Sequence, residues 1–230
     1  MLNNKSDLNS IVQTIGISKD QILREMNEMI FLNSLSKDDL SRSIIFYGGT
    51  ALRLAYNSPR FSEDIDLLEA KTISFPSFKN FISEFVTEHP NWNLKDLKDK
   101  RSTMFALFVV DEPELKHALP IKIELRKNVD NVSCEKELKM ISSEVSIFQP
   151  LLFVPTLNQL LILKTEAIME RKKARDIFDL WYLSQVTRAK FELPTVLPNW
   201  NEREFKNELK VFLPKKYYPI IDELYAQISR

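Results

Sequence analysis

The segment from Ser43 to Ala70, which reads SIIFYGGTALRLAYNSPRFSEDIDLLEA, constrains the fold more than any other part of the chain. Its residue types predict two short strands that flank a glycine turn and a short helix. The expected pieces are a strand over Ser43–Tyr47, a turn at Gly48-Gly49, a helix over Thr50–Tyr56 and a strand over Glu63–Glu69. Such a unit predicts a sheet with helices packed on it.

Alternation in the second strand places two aspartates side by side. A period of two residues puts Asp64 and Asp66 on one face of the strand, and Ile65 and Leu67 on the other. Two neighbouring carboxylates repel each other unless a cation lies between them. Mg²⁺ takes oxygen ligands and is commonly shared between carboxylates and substrate phosphates. We therefore predict that Asp64 and Asp66 bind a metal; the alternative is a pair of solvated aspartates on an edge strand.

Two of the three glycines in the chain, Gly48 and Gly49, stand together where the first strand turns into the helix. Glycine lets the backbone approach a ligand closely, and the start of a helix directs free N–H groups towards an anion. A backbone site for phosphates beside a metal site is suited to a nucleotide. We assign Gly48, Gly49, Thr50 and Ser62 to the predicted nucleotide-binding site.

The run GGTALRLAYNSPRFSEDIDL resembles the motif of the DNA polymerase beta-like nucleotidyltransferase superfamily. More narrowly, it resembles the AbiEii/AbiGii toxin family, the nucleotidyltransferase half of bacterial type IV toxin–antitoxin systems. Gly48-Gly49 stands where many superfamily members have Gly-Ser, and the narrower family shares this departure. The resemblance implies transfer of an NMP from an NTP to an RNA acceptor, with tRNA favoured. It also implies Mg²⁺, with Mn²⁺ as a substitute, and a cognate antitoxin as a partner.

Two other functions remain open from the sequence. The same chemistry could use a protein hydroxyl as the acceptor, which would make the chain a protein nucleotidylyltransferase. A nucleotide-binding or partner-binding protein without turnover is the third hypothesis, although the intact Asp64 and Asp66 argue against it.

A third metal-binding carboxylate is expected on a later, neighbouring strand, because superfamily members carry one there. Residues 121–126 (IKIELR) alternate between apolar and charged side chains, and Glu124 lies on the charged face. Glu124 is the candidate, and Asp111, which ends the preceding apolar strand, is the competitor. The alternative for Glu124 is a solvent-facing residue flanked by Lys122 and Arg126.

A second block covers residues 156–183 and reads TLNQLLILKTEAIMERKKARDIFDLWYL. Thr156 is placed to cap a helix. If one helix runs through, Lys164, Arg171 and Arg175 fall within about 40° of one another, so their charges suit phosphates. A solvated basic face, to which Lys172 and Lys173 are assigned, is the alternative.

The resemblance extends to this block, because the AbiEii-type family has lysine, arginine, Arg-Asp and Asp-Leu at the corresponding positions. It implies that Lys164 contacts the phosphates and that Asp176 is a further essential acidic residue. Arg171 and Arg175 are assigned to nucleotide binding. Asp179 is expected to pair with Arg175 at i, i+4.

The charge and cysteine content limit the possible binding partners and the cellular compartment of the protein. The 32 basic and 32 acidic residues cancel, so a site for a polyanion must be a local patch. The single cysteine, Cys134, excludes an internal disulfide and suits a reducing cytosol. No apolar run approaches the ~18 residues of a membrane span, and the first ten residues lack the apolar core of a signal peptide. A cytoplasmic protein without a membrane partner is expected.

The predicted fold class is α+β: a nucleotidyltransferase-like mixed sheet of about four or five strands with flanking helices, followed by a helical C-terminal half. We place the sheet domain, with an N-terminal helix capped by Ser18, at residues 1–150. A helical domain at residues 151–230 is expected to close the active-site cleft. Residues 94–101 (LKDLKDKR) are predicted to be a charged link.

Overall fold

The computed structural model describes residues 5–128, 133–194 and 199–229. Two short 3-10 turns, Asp39–Ser43 and Lys215–Tyr217, join the regular elements. In chain order the helices and strands are α1 (Lys5–Ile15), α2 (Lys19–Lys37), β1 (Ile44–Tyr47), α3 (Gly48–Tyr56), β2 (Asp64–Glu69), α4 (Phe75–Glu88), β3 (Trp92–Asp99), β4 (Thr103–Val110), β5 (Leu119–Arg126), β6 (Lys136–Met140), β7 (Leu151–Pro155), α5 (Leu157–Glu170), α6 (Ala174–Thr187), α7 (Glu202–Phe212) and α8 (Tyr218–Ile228).

Within the described residues, β1 to β5 form one mixed sheet in the order β1-β2-β5-β4-β3. The central strands β2 and β5 are parallel, and the other neighbours are antiparallel. The register sets Asp66 opposite Tyr47 on one side and opposite Glu124 on the other. The predicted α+β class is confirmed, with a mixed sheet flanked by helices.

One face of this sheet is buried under α2 and α4. The inward residues Ile65 and Leu67 are fully buried, as the alternation predicts. Their neighbours include rings that meet edge to face, such as Phe31 of α2 with Phe85 of α4 at 5.1 Å between centroids. Because the apolar side of β2 and β5 faces this core, the carboxylates of the same strands lie on the opposite face.

Two predicted helix caps are present. The Ser18 hydroxyl accepts a hydrogen bond from the Gln21 amide at 3.3 Å, which begins α2. The Thr156 hydroxyl accepts from the Gln159 amide at 3.3 Å, which begins α5. Each cap provides a partner for one of the amide groups that the first turn leaves free.

The predicted charged link over residues 94–101 is wrong, because most of it lies in β3. This strand is the outer edge of the sheet, and a bulge between Leu94 and Asp96 interrupts its pairing with β4. An edge strand has one side open to water and tolerates lysine and aspartate there. Its high charge therefore reflects its edge position and not a loop.

The condition that one helix runs through residues 156–183 is not met, because two helices cover this block. Helix α5 closes where the Arg171 amide donates to the Ala167 carbonyl at 3.0 Å, and Arg171 itself is extended (φ −142°, ψ 144°). The second helix begins at the buried Ala174 and packs back against α5, where Ile168 and Ile177 share one core. Burying both apolar faces against each other explains the break.

Two hydrophobic cores are present in the described residues. One lies between the sheet and α2, α4 and the start of α5; the other joins α6, α7 and α8 around Phe178, Phe205 and Leu224. Strand β7 pairs with β6 across position 150, so a two-stranded sheet spans the predicted boundary. The division at residue 150 stays a prediction. None of the described helices has the length and apolar character needed to cross a membrane.

Candidate active site

The centre of the site is a row of side chains on the neighbouring strands β2 and β5, on the face opposite the core. Asp66 lies opposite Glu124, and Asp64, two residues before it, lies opposite Lys122. Strands in a sheet are about 4.8 Å apart, so these carboxylates are neighbours. The structure therefore brings Asp64, Asp66 and Glu124 onto one surface.

Asp111, the competing third carboxylate, lies elsewhere. It follows the far end of β4, six residues beyond Phe105, the residue opposite Glu124. At about 3.3 Å per residue, this places it roughly 20 Å along the strand. Its carboxylate accepts a hydrogen bond from the Asn93 side chain at 2.9 Å.

Lys122 provides the positive charge among the carboxylates. Its Nζ lies 2.9 Å from Asp64 Oδ2 and 3.3 Å from Glu124 Oε2. Partial burial alone would lower the pKa of Lys122, but hydrogen bonding and attraction to Asp64 raise it. Burial raises the pKa of Asp66 to about 6, and the negative charge of Asp64 adds to the effect. Asp66 is thus the carboxylate whose charge is least compensated.

The donor chemistry of the row suits a hard divalent cation. In residues 5–128, 133–194 and 199–229, no three His, Cys, Asp or Glu side chains already converge to enclose a metal ion. However, Asp64, Asp66 and Glu124 present carboxylate oxygens, the ligands that Mg²⁺ prefers. A second positive charge would favour the ionised form of Asp66, whose raised pKa reflects burial and repulsion.

The two glycines let side chains of the site approach the backbone closely beside this row. Gly48 has φ of +83°, and a Cβ there would lie 2.3 Å from Asp66 Oδ2. A Cβ on Gly49 would lie 2.2 Å from Arg60 Nη2 and 2.8 Å from Ser62 Oγ. Neither position tolerates a side chain, because each is strained or in collision with a functional group.

The start of α3 therefore presents backbone amides next to Asp66. Helix α3 begins at Gly48, two residues earlier than the predicted Thr50, and the preceding Tyr47 provides no side-chain cap. Thr50 is almost fully buried and its hydroxyl donates to the Asp64 carbonyl. This bond fixes the helix start against β2, so the free amides and the carboxylate row lie side by side.

A buried ion network joins the C-terminal helices to the sheet. Arg60 donates from Nε to Asp179 Oδ1 at 2.6 Å and from Nη2 to Asp179 Oδ2 at 2.8 Å, a bidentate pair. Lys164 Nζ lies 2.6 Å from Asp179 Oδ2 and 3.2 Å from Asp176 Oδ1. Because Arg60 also touches the Gly49 side of the site, the network positions Lys164 relative to the glycines.

Arg171 reaches the same network although it is outside any helix. It donates to both oxygens of Asp176, at 2.8 and 2.9 Å, and its side chain is half exposed. Burial alone would raise the pKa of Asp176, but Lys164 and Arg171 together hold it below its usual value. Lys164 and Arg171 are therefore close to each other, as predicted. They meet because both contact Asp176, and not because they share one face of a helix.

The expected pairing of Asp179 with Arg175 is wrong. Arg175 instead lies 3.8 Å from Glu63 and 4.0 Å from Glu208, with its guanidinium 5.5 Å from the Phe212 ring. Asp179 turns inward because Arg60 and Lys164 compensate its charge. Arg175 lies near the edge of the site through Glu63, and its assignment to nucleotide binding stays a prediction.

Comparison with known proteins gives the family. A family model described as "Nucleotidyl transferase AbiEii toxin, Type IV TA system" matches residues 30–213. The chain belongs to the AbiEii nucleotidyltransferase toxin family. A search of curated proteins gave no match.

Three solved structures have a similar fold. The protein JHP933 from Helicobacter pylori is 24% identical with a TM-score of 0.55, covering 74% of this chain and 68% of that one. A putative nucleotidyltransferase from H. pylori is 23% identical with a TM-score of 0.55, covering 74% and 70%. MenT4, a nucleotidyltransferase toxin from Mycobacterium tuberculosis, is 16% identical with a TM-score of 0.59, covering 90% and 70%. These similarities show the fold.

Sequence reasoning missed the roles of Arg60 and Lys122 in this AbiEii-family chain. Arg60 lies in the connection between α3 and β2, and no local pattern marks a partner 119 residues away. A signal was available for Lys122, because it shares the period-two face of Glu124 and a cation between carboxylates is favourable.

Proposed function

We propose that this AbiEii-family nucleotidyltransferase moves an NMP from an NTP to the 3′ end of an RNA, with tRNA as the favoured acceptor. The observation that carries the proposal is the cross-strand row of Asp64, Asp66 and Glu124 beside the glycine turn that begins α3. Mg²⁺ or Mn²⁺, held by these three carboxylates, would supply charge neutralisation for the triphosphate and acidify the attacking hydroxyl.

The residues of the chain position the two substrates. The backbone amides at Gly48 and Gly49 meet the triphosphate, and Ser62 lies beside them. Lys164 and Arg171 add positive charge from the helical half, and their electrostatic influence reaches Asp66. Lys122 compensates Asp64 and Glu124 until substrates arrive.

In the reaction, the acceptor 3′ oxygen forms a bond to the α-phosphorus while the bond from that phosphorus to the β-bridging oxygen breaks. The hydroxyl proton leaves to water or to a carboxylate, and pyrophosphate departs. Such transfers depend mostly on positioning and charge stabilisation. As in the family, we propose a cognate antitoxin that restrains this activity.

The experiment is a transfer assay with each α-labelled NTP in turn, Mg²⁺ or Mn²⁺, and either purified tRNA, total RNA or total protein. We expect label in RNA, and none when the RNA 3′ end has been oxidised with periodate or when a chelator is added. Asp66→Asn should abolish transfer and retain a cooperative melting transition, since it removes a charge from a site where carboxylates repel.

Label on protein with none on RNA would favour the protein acceptor. No transfer from any NTP by a folded, nucleotide-binding protein would favour the non-catalytic alternative. Wild-type turnover by Asp66→Asn at saturating metal would contradict the assignment of this residue.

A further inference from the structure

Strand β4 is apolar on both of its faces. Its inward residues, such as Ala106 and Phe108, are fully buried in the core of the sheet. Its outward residues Phe105, Leu107 and Val109 are partly exposed and belong to neither of the two hydrophobic cores found in the described residues. A strand with one face towards water ordinarily places polar side chains on that face. We name this outward strip of three residues the β4 platform.

The β4 platform is continuous with the carboxylate row. Phe105 lies directly opposite Glu124 on one side and opposite Lys98 on the other. With strands about 4.8 Å apart, the ring is one strand from Glu124 and two, about 10 Å, from Asp66. A group resting on Phe105 is therefore beside the position where the acceptor hydroxyl must react.

Cations surround the aromatic ring. Lys100 Nζ lies 5.0 Å from the centroid of the Phe105 ring. Lys98 is exposed and pairs with Asp96, the acidic residue of the same face. Arg126, at the end of β5 and also exposed, lies opposite Thr103 on β4. These three cations lie on or beside the strands that flank Phe105, and Asp96 compensates one of them.

A partly exposed aromatic ring with cations nearby matches the chemistry of a single-stranded nucleic acid. Bases stack on aromatic side chains whatever their identity, while lysine and arginine compensate the phosphates. A peptide acceptor would offer neither the flat base nor the regular negative charge. We propose that the terminal bases of a single-stranded RNA 3′ end stack on the β4 platform, with Phe105 as the acceptor-binding residue. This inference rests on the proposed nucleotidyl transfer and identifies its acceptor side.

The test compares Phe105→Ala and Phe105→Leu with Phe105→Tyr. Leucine keeps most of the apolar volume but has no ring, whereas tyrosine keeps the ring. The matched control is Phe153→Ala on β7, because the Phe153 ring also lies under a lysine, with Lys136 Nζ at 4.9 Å, in the separate two-stranded sheet. Thermal melting of every variant checks that the fold is intact.

Binding is measured first with a short single-stranded RNA that carries 2-aminopurine at its 3′ end. We expect the fluorescence of the probe to be quenched by wild-type protein. The Kd should rise roughly 5- to 100-fold in Phe105→Ala and Phe105→Leu, and stay within about twofold in Phe105→Tyr and Phe153→Ala. In the transfer assay the acceptor KM should rise with the Kd, and the KM for NTP should not.

Wild-type affinity in folded Phe105→Leu or Phe105→Ala would overturn the inference, and so would equal weakening in Phe153→Ala. Absence of RNA binding by an enzyme that labels protein would also overturn it. The binding assay needs no turnover, so failure of the proposed transfer and failure of the β4 platform give different results.

Discussion

Replacing Asp179 with Asn removes one charge from the buried ion network between the two cores. The Arg60 side chain is 2% exposed and that of Asp179 is 0% exposed, so the guanidinium would remain buried without the carboxylate that it shares with Lys164. Loss of one member of a buried pair costs about 3–5 kcal/mol. Asparagine can still accept one hydrogen bond, and Arg60 keeps its bond to the Phe61 carbonyl at 2.7 Å. We therefore expect the lower value, about 3 kcal/mol.

For a chain of this length, 1 kcal/mol shifts the melting temperature by about 2–4 °C, so Asp179→Asn should lower it by roughly 6–12 °C. The measurement is thermal unfolding by circular dichroism at pH 7. The matched control is Asp39→Asn, which breaks the pair with Arg42 at 3.5 Å between highly exposed side chains. This change should cost no more than about 1 kcal/mol. A melting temperature within 2 °C of wild type for Asp179→Asn, on the order of the control, would show that the pair contributes no stability.

Three further predictions concern the site. Glu124→Gln should lower transfer by orders of magnitude and weaken metal binding, whereas Asp111→Asn should leave both unchanged; the opposite pattern would move the third carboxylate to Asp111. Lys164→Ala should weaken NTP binding by about 1.5–3 kcal/mol, measured by titration. The control is Lys172→Ala, which changes an exposed side chain 3.8 Å from Glu204 and should bind NTP as wild type does. Equal affinities of the two variants would exclude Lys164 from nucleotide binding. The pKa of Asp66 is raised from its usual 3.8 to about 6, so the folded state holds this proton more tightly than the unfolded chain. With a chelator present, the stability that the protonated Asp66 contributes should be complete below about pH 4 and lost by about pH 6. Melting curves of Asp66→Asn should lack that pH dependence.

Local patterns in the sequence were enough to place the central unit. Alternation correctly put Asp64 and Asp66 on one face of β2 and Ile65 on the buried face. The adjacent glycines marked a place where the backbone closely approaches other groups, since Gly48 has positive φ and neither position accepts a Cβ. The helix caps at Ser18 and Thr156 were also predicted correctly from the local sequence. Each of these features depends on residues within a few positions of one another, and the backbone period or a single hydrogen bond fixes it.

Tertiary packing decided the rest of the site. Glu124 lies beside Asp66, and Asp111 does not, because β5 pairs in parallel with β2 in one particular register. Arg171 reaches Asp176 only because α5 and α6 fold back on each other. Arg60 meets Asp179 across 119 residues, and this contact exists only once the helical core rests against the sheet. Charges buried in this way need partners from whichever element packs next to them, so their pairing follows from how the elements pack together and not from local sequence.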